Sequence, residues 1–132
     1  MVSTDLRHPD LRWRDVRRVL NHRSQEIVWE PGIDAKNEWV YATLESDAHR
    51  ARLLDWLRSK NVPRSSDGFL FMPPPRPSLI TATWGEVLDE PERFFGGPDF
   101  EFVSKDLDWR LDHQQACVAR FGRWPSGSHA TI

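Results

Sequence analysis

The stretch Leu107-Asp108-Trp109-Arg110-Leu111-Asp112-His113 alternates apolar and charged side chains almost without a break. Successive side chains of a β-strand point to opposite faces, so this spacing predicts a strand with two distinct sides. Leu107, Trp109, Leu111 and His113 would face a core, and Asp106, Asp108, Arg110 and Asp112 would face water. One wet face is characteristic of antiparallel sheets. The flanks agree: Phe100-Glu101-Phe102-Val103 reads as the preceding strand, and Ala116 to Phe121, ended by Gly122, as the following one. Short connections make the three an antiparallel meander.

Further out, the pattern switches between strand and helix. Glu26 to Glu30, closed by Pro31-Gly32, and the aromatic, β-branched run Glu38 to Leu44 predict two strands of a hairpin. Phe69 to Met72 predicts another strand. Pro9 to Asn21 predicts a helix with Trp13, Val16, Val19 and Leu20 inward and Arg14, Arg17 and Arg18 on a basic outer face. Ser46 is a good N-cap for a second helix that carries Leu53, Leu54, Trp56 and Leu57 and ends by Pro63. Thr83-Trp84-Gly85-Glu86 has the capping-box spacing and starts a short third helix. Pro73 to Pro77 is a stiff polyproline connector with the P-x-x-P spacing. These elements add up to an α+β fold. An antiparallel sheet of about five or six strands is expected, with two longer helices and one short helix packed on one side.

With 132 residues the chain suits a single domain, 1–132, with 123–132 as a flexible tail. A single cysteine, Cys117, excludes any internal disulfide or cysteine-cluster metal site and fits a reducing, cytoplasmic setting. No signal-like or membrane-length apolar run is visible. Seven tryptophans, spread evenly, predict a core built from large rings rather than a stacking platform for nucleic acid. The formal net charge is −2, yet it is unevenly spread. Arg7 to Arg23 is strongly basic, and Glu86 to Asp112 strongly acidic. The two regions could face each other, or the acidic one could dock a basic partner.

The aspartates at 106, 108 and 112, with Arg110 among them, are the one set of ionisable groups that spacing alone gathers on a face. Hard oxygen ligands could hold a cation and paired carboxylates could act as acid and base, but a protein-contact face suits the pattern best. Asp106, Asp108, Arg110 and Asp112 are therefore the candidate protein-binding residues. The basic face Arg14, Arg17 and Arg18 is a weaker candidate for phosphate contacts, weighed against a slightly acidic pI near 6.2. The histidines at 8, 22, 49, 113 and 129 lack ligand spacing, and no phosphate loop, nucleophile elbow or paired-histidine motif occurs. No catalytic residue, metal ligand or cofactor is assigned.

The segment Phe100 to Gly122, through Lys105, Trp109 and His113, resembles the terminal meander of small bacterial proteins grouped with the immunity proteins of polymorphic toxin systems. The resemblance implies a non-enzymatic, cytoplasmic protein that binds and blocks a protein partner, often through an acidic face. The leading expectation is such a protein-binding protein, with a homodimer compatible. The alternatives are a small metal-dependent or acid/base hydrolase using the carboxylates with His113 or His49, and a nucleic-acid accessory protein working through the Arg helix.

Overall fold

The computed structural model describes residues 12–32, 37–73, 77–95, 97–114 and 117–125. The fold is α+β, and the described residues form a seven-stranded antiparallel sheet and three α-helices. The helices are α1 (Trp13–Arg23), α2 (Asp47–Arg58) and α3 (Trp84–Asp89). The strands are β1 (Val28–Trp29), β2 (Val40–Tyr41), β3 (Asp67–Met72), β4 (Ser78–Thr83), β5 (Phe100–Ser104), β6 (Trp109–Gln114) and β7 (Val118–Arg123). Along the sheet they run β1-β7-β6-β5-β3-β4, with β2 also paired to β7.

The meander forms as its alternation predicts. β6 pairs with β5 and β7 on either side, setting Leu111 between Phe102 and Phe121. The expected hairpin between the first two strands does not form. Trp29 pairs with Gly122 and Val40 with Ala119, so β1 and β2 lie end to end along β7. β4 is a strand beyond those expected; its residues Ser78 to Thr83 follow the proline run directly and pair with β3 throughout.

The helices are not all on one side. Leu70, Phe102, Trp109, Leu111 and Phe121 share one cluster with Leu53 and Leu57 of α2 and Val87 of α3. Phe71 and Val103, one residue along their strands and so on the other face, cluster with Val16 and Leu20 of α1. Adjacent apolar residues, Leu70-Phe71 and Phe102-Val103, are the reason: a strand apolar on both faces must be covered on both. Trp84 anchors the larger core, stacked near Phe102 and edge-on to Trp109 and Phe121. On the other face Trp13 stacks on Phe71 with centroids 4.8 Å apart and donates Nε1–H to the Met72 carbonyl.

Local sequence sets the helix ends. Ser46 Oγ accepts the His49 amide and Thr83 Oγ accepts the Glu86 amide, satisfying donors that a first helical turn leaves open. Arg123 completes β7 and Trp124 is buried, its indole donating to the Arg23 carbonyl at 3.0 Å. The chain is thus held in place beyond the point where a tail was expected; residues 126–132 lie outside the described residues, as do His8, His129 and residues 74–76 of the proline run.

Candidate functional site

The four residues read as one charged face separate into two environments. β6 begins at Trp109, two residues later than the alternation suggests, because Leu107 takes φ 58° and turns the chain. Asp106 and Asp108 belong to this turn and are exposed. Arg110 and Asp112 are in the strand and nearly buried, at 8% and 6% exposure. The expectation that all four face water fails because α1 and Trp29 cover that side of the sheet.

The buried half is an ion network across neighbouring strands. Arg110 donates to Asp112 at 2.7 Å and also pairs with Glu101, which sits opposite Asp112 in the ladder. Asp112 accepts a second bond from Arg120 at 3.1 Å, and Arg120 continues to Glu38 at 3.1 Å. The Arg120 guanidinium lies between two indoles, 3.6 Å from the Trp29 ring and 4.6 Å from the Trp39 ring. Burial would weaken the charge on Arg110, but Asp112 and Glu101 outweigh it and hold its pKa above the usual arginine value. Beside the network is a cleft of about 260 Å³ lined by Asp99, Glu101, Asp112, Gln114 and Arg120.

Arg17 reaches this network from α1. It pairs with Glu101 and its guanidinium lies 4.3 Å from the Phe71 ring. The expected basic triad is therefore divided. Arg14 and Arg18 are exposed, while Arg17 is on the 13, 16, 17, 20 stripe that faces the sheet. Through Arg17 and Glu101 the basic first helix meets the acidic stretch, so part of the charge asymmetry is neutralised internally.

The exposed half is built around the β5–β6 turn. Leu107 is fully buried, and its amide donates to the Ser104 carbonyl at 3.0 Å. Ser104 Oγ accepts the Asp108 amide at 2.7 Å and the Trp109 amide at 3.3 Å. A buried leucine anchor and a serine hydroxyl thus fix the turn, with Asp106 and Asp108 outermost. Both border a cleft of about 590 Å³ that also includes Asp67, Ser66, Trp109 and Trp124. Asp67 is 3.5 Å from Lys105, and the Trp109 indole donates to Ser66 Oγ at 3.0 Å. Asp67 was not singled out by sequence; its register opposite Thr83, at the start of β3, brings it beside the turn.

His113 points to the larger-core face of β6, opposite to its neighbour Asp112, and borders the 260 Å³ cleft at its edge. It stacks on Phe100 at 5.1 Å and meets Phe95 edge-on. Its Nδ1–H donates to the Pro98 carbonyl at 3.2 Å, the sense that a carbonyl acceptor requires, and Nε2 is buried with no hydrogen-bond partner. Burial lowers its pKa against smaller opposing effects of the Pro98 bond and Asp99. His49 is a helix-capping neighbour of Ser46, at 2.6 Å. Cys117, expected within a strand, is half-buried in the β6–β7 turn at φ 63°. Among the described residues no group of three His, Cys, Asp or Glu side chains is placed to hold a metal ion, and no helix is long and apolar enough to cross a membrane. Compared with protein-family models, curated proteins and solved structures, the chain matches none.

Proposed function

We propose that this chain is a non-catalytic protein-binding protein of bacterial, cytoplasmic setting, immunity-like in action, whose contact surface is the acidic β5–β6 turn. The reading keeps Asp106 and Asp108 from the expected face, adds Asp67, and leaves Arg110 and Asp112 as internal structure. One observation carries it. Leu107 holds a left-handed backbone conformation that is uncommon for a non-glycine residue and costs on the order of 1–3 kcal/mol. Strain of this kind persists where surrounding packing over-determines it, and such positions cluster at functional sites. Here the strained residue is the buried anchor of a turn whose outermost groups are carboxylates. A rigid acidic turn beside a 590 Å³ cleft suits a partner segment rich in Arg or Lys. Complementary charge would steer the encounter, and a preformed surface would lose little entropy on binding.

The test is affinity capture from the native host with quantitative recovery. Wild type and an Asp106→Asn/Asp108→Asn variant are compared, with Arg14→Gln/Arg18→Gln as a control for the nucleic-acid alternative. The expected result is a protein partner retained by wild type and by the arginine variant and lost from the aspartate variant. Equal recovery on all three overturns the assignment.

A further inference from the structure

We propose that the outer edge of β4 pairs antiparallel with the same edge of a second copy of this chain, joining two sheets across a two-fold axis at Ile80. This goes beyond the proposed partner surface and does not depend on it. The sheet path ends at β4, and no strand or backbone hydrogen bond among the described residues reaches its outer side. Two bonds on the inner side fix which backbone groups are left open. Trp84 N–H donates to the Ser66 carbonyl at 2.9 Å, making those residues a bonded pair of the β3–β4 ladder. The Asp67 carbonyl instead accepts from Lys105 at 3.1 Å, pointing away from β4. Antiparallel ladders alternate bonded and non-bonded pairs. Gly68–Ala82, Leu70–Ile80 and Met72–Ser78 are therefore bonded, while Leu79 and Thr81 turn their N–H and C=O groups outward.

These open groups stand symmetrically about Ile80, and that selects the partner. A second β4 laid antiparallel sets Leu79 of one copy against Thr81 of the other, and Thr81 against Leu79. Every outward donor of the two residues then meets an outward acceptor. Ile80 meets its own copy as a non-bonded pair, whose Cα atoms approach to about 4.5 Å. Ile80 is 46% exposed in the single chain, one of three exposed large hydrophobic residues among the described residues. The strand Ser-Leu-Ile-Thr-Ala-Thr carries no charge and no proline, so two copies meet without like-charge opposition. Edges that must stay single are usually blunted by charge, proline or shortness. The opposite edge is blunted, since β1 and β2 have two residues each; β4 has six.

Sedimentation equilibrium of the full chain, from micromolar to roughly 1 mM, tests this. Wild type is expected to reach twice the 15.5 kDa chain mass. Thr81→Pro removes an outward N–H and no internal bond, and Ile80→Lys sets two ammonium groups face to face on the axis. Each is expected to stay at the single-chain mass with an unchanged circular dichroism spectrum, so either alone suffices if the other misfolds. Ile80→Cys is expected to cross-link into a dimer on mild oxidation that leaves wild type, with Cys117, uncross-linked. A wild type that stays at chain mass throughout overturns the proposal, as does a dimer that survives both substitutions. A dimer that Ile80→Cys fails to cross-link overturns the register.

Discussion

Asp112 accepts from both Arg110 and Arg120, and its side chain is only 8% exposed. Replacing it with alanine takes from the buried Arg110 guanidinium one of its two carboxylate partners, leaving Glu101, and breaking such a buried pair typically costs roughly 3–5 kcal/mol. Asp106→Ala, on the exposed turn, should stay within about 0.5 kcal/mol of wild type. Urea unfolding of the two variants checks this contrast; equal losses would contradict the buried network. His113 gives a second residue-level prediction. Its folded pKa lies below the usual histidine value of about 6.5, so below that pH the unfolded chain binds more protons than the folded one. Stability contributed by the neutral ring is complete above about pH 6.5 and is lost as the pH falls from there toward the folded pKa. His113→Phe should flatten the stability profile in that window, and an unchanged slope would contradict it. Sequence spacing placed Trp109, Leu111 and His113 inward. It could not separate Asp108 from Asp112, because alternation gives sidedness and says nothing of what covers the second side.

At the scale of elements, the starts of α2 and α3 were the most legible features, whereas α1 starts at Trp13 after an extended Arg12 and not at Pro9. Ser46 and Thr83 act as caps because a hydroxyl at that position has a local, sequence-near partner. Thr83→Ala should cost about 1 kcal/mol in thermal or urea unfolding. Partnerships distant in sequence were less legible. β1 and β2 looked like a hairpin, but both find β7, and Gly122 explains how β1 gets close enough. A Cβ there would come within 2.8 Å of Trp29 Cε3 and 3.0 Å of the Val28 carbonyl oxygen. Gly122→Ala should therefore destabilise by about 1–3 kcal/mol. It should also speed exchange of the Glu30 amide, which bonds the Phe121 carbonyl at 2.8 Å. Undisturbed exchange at Glu30 would contradict this packing. β4 escaped the sequence reading because Ser78–Thr83, set between a proline run and a helix cap, places Leu79 and Ile80 side by side and shows no alternation to mark it. Arg17 was misplaced because three arginines one turn apart suggest a shared face, whereas its pairing with Glu101 draws it to the sheet.

Over the whole molecule, two cores on opposite faces of one sheet account for the even spread of tryptophans, since Trp84 and Trp109 serve one core and Trp124 the other. They also account for the fate of the charged face. A side of the sheet that looked free for a partner is occupied by α1, and what remains outside is the β5–β6 turn. The acidic excess of the second half is thereby divided between internal pairing, through Glu101 and Asp112, and display, through Asp106 and Asp108. The most direct test of that division is hydrogen–deuterium exchange of the full chain, free and in complex with the protein partner proposed for it. Binding is predicted to protect amides of residues 104–109 and the start of β3 around Asp67, leaving α1 unchanged. Protection confined to Arg14–Arg18, or spread evenly without the turn, would contradict the account.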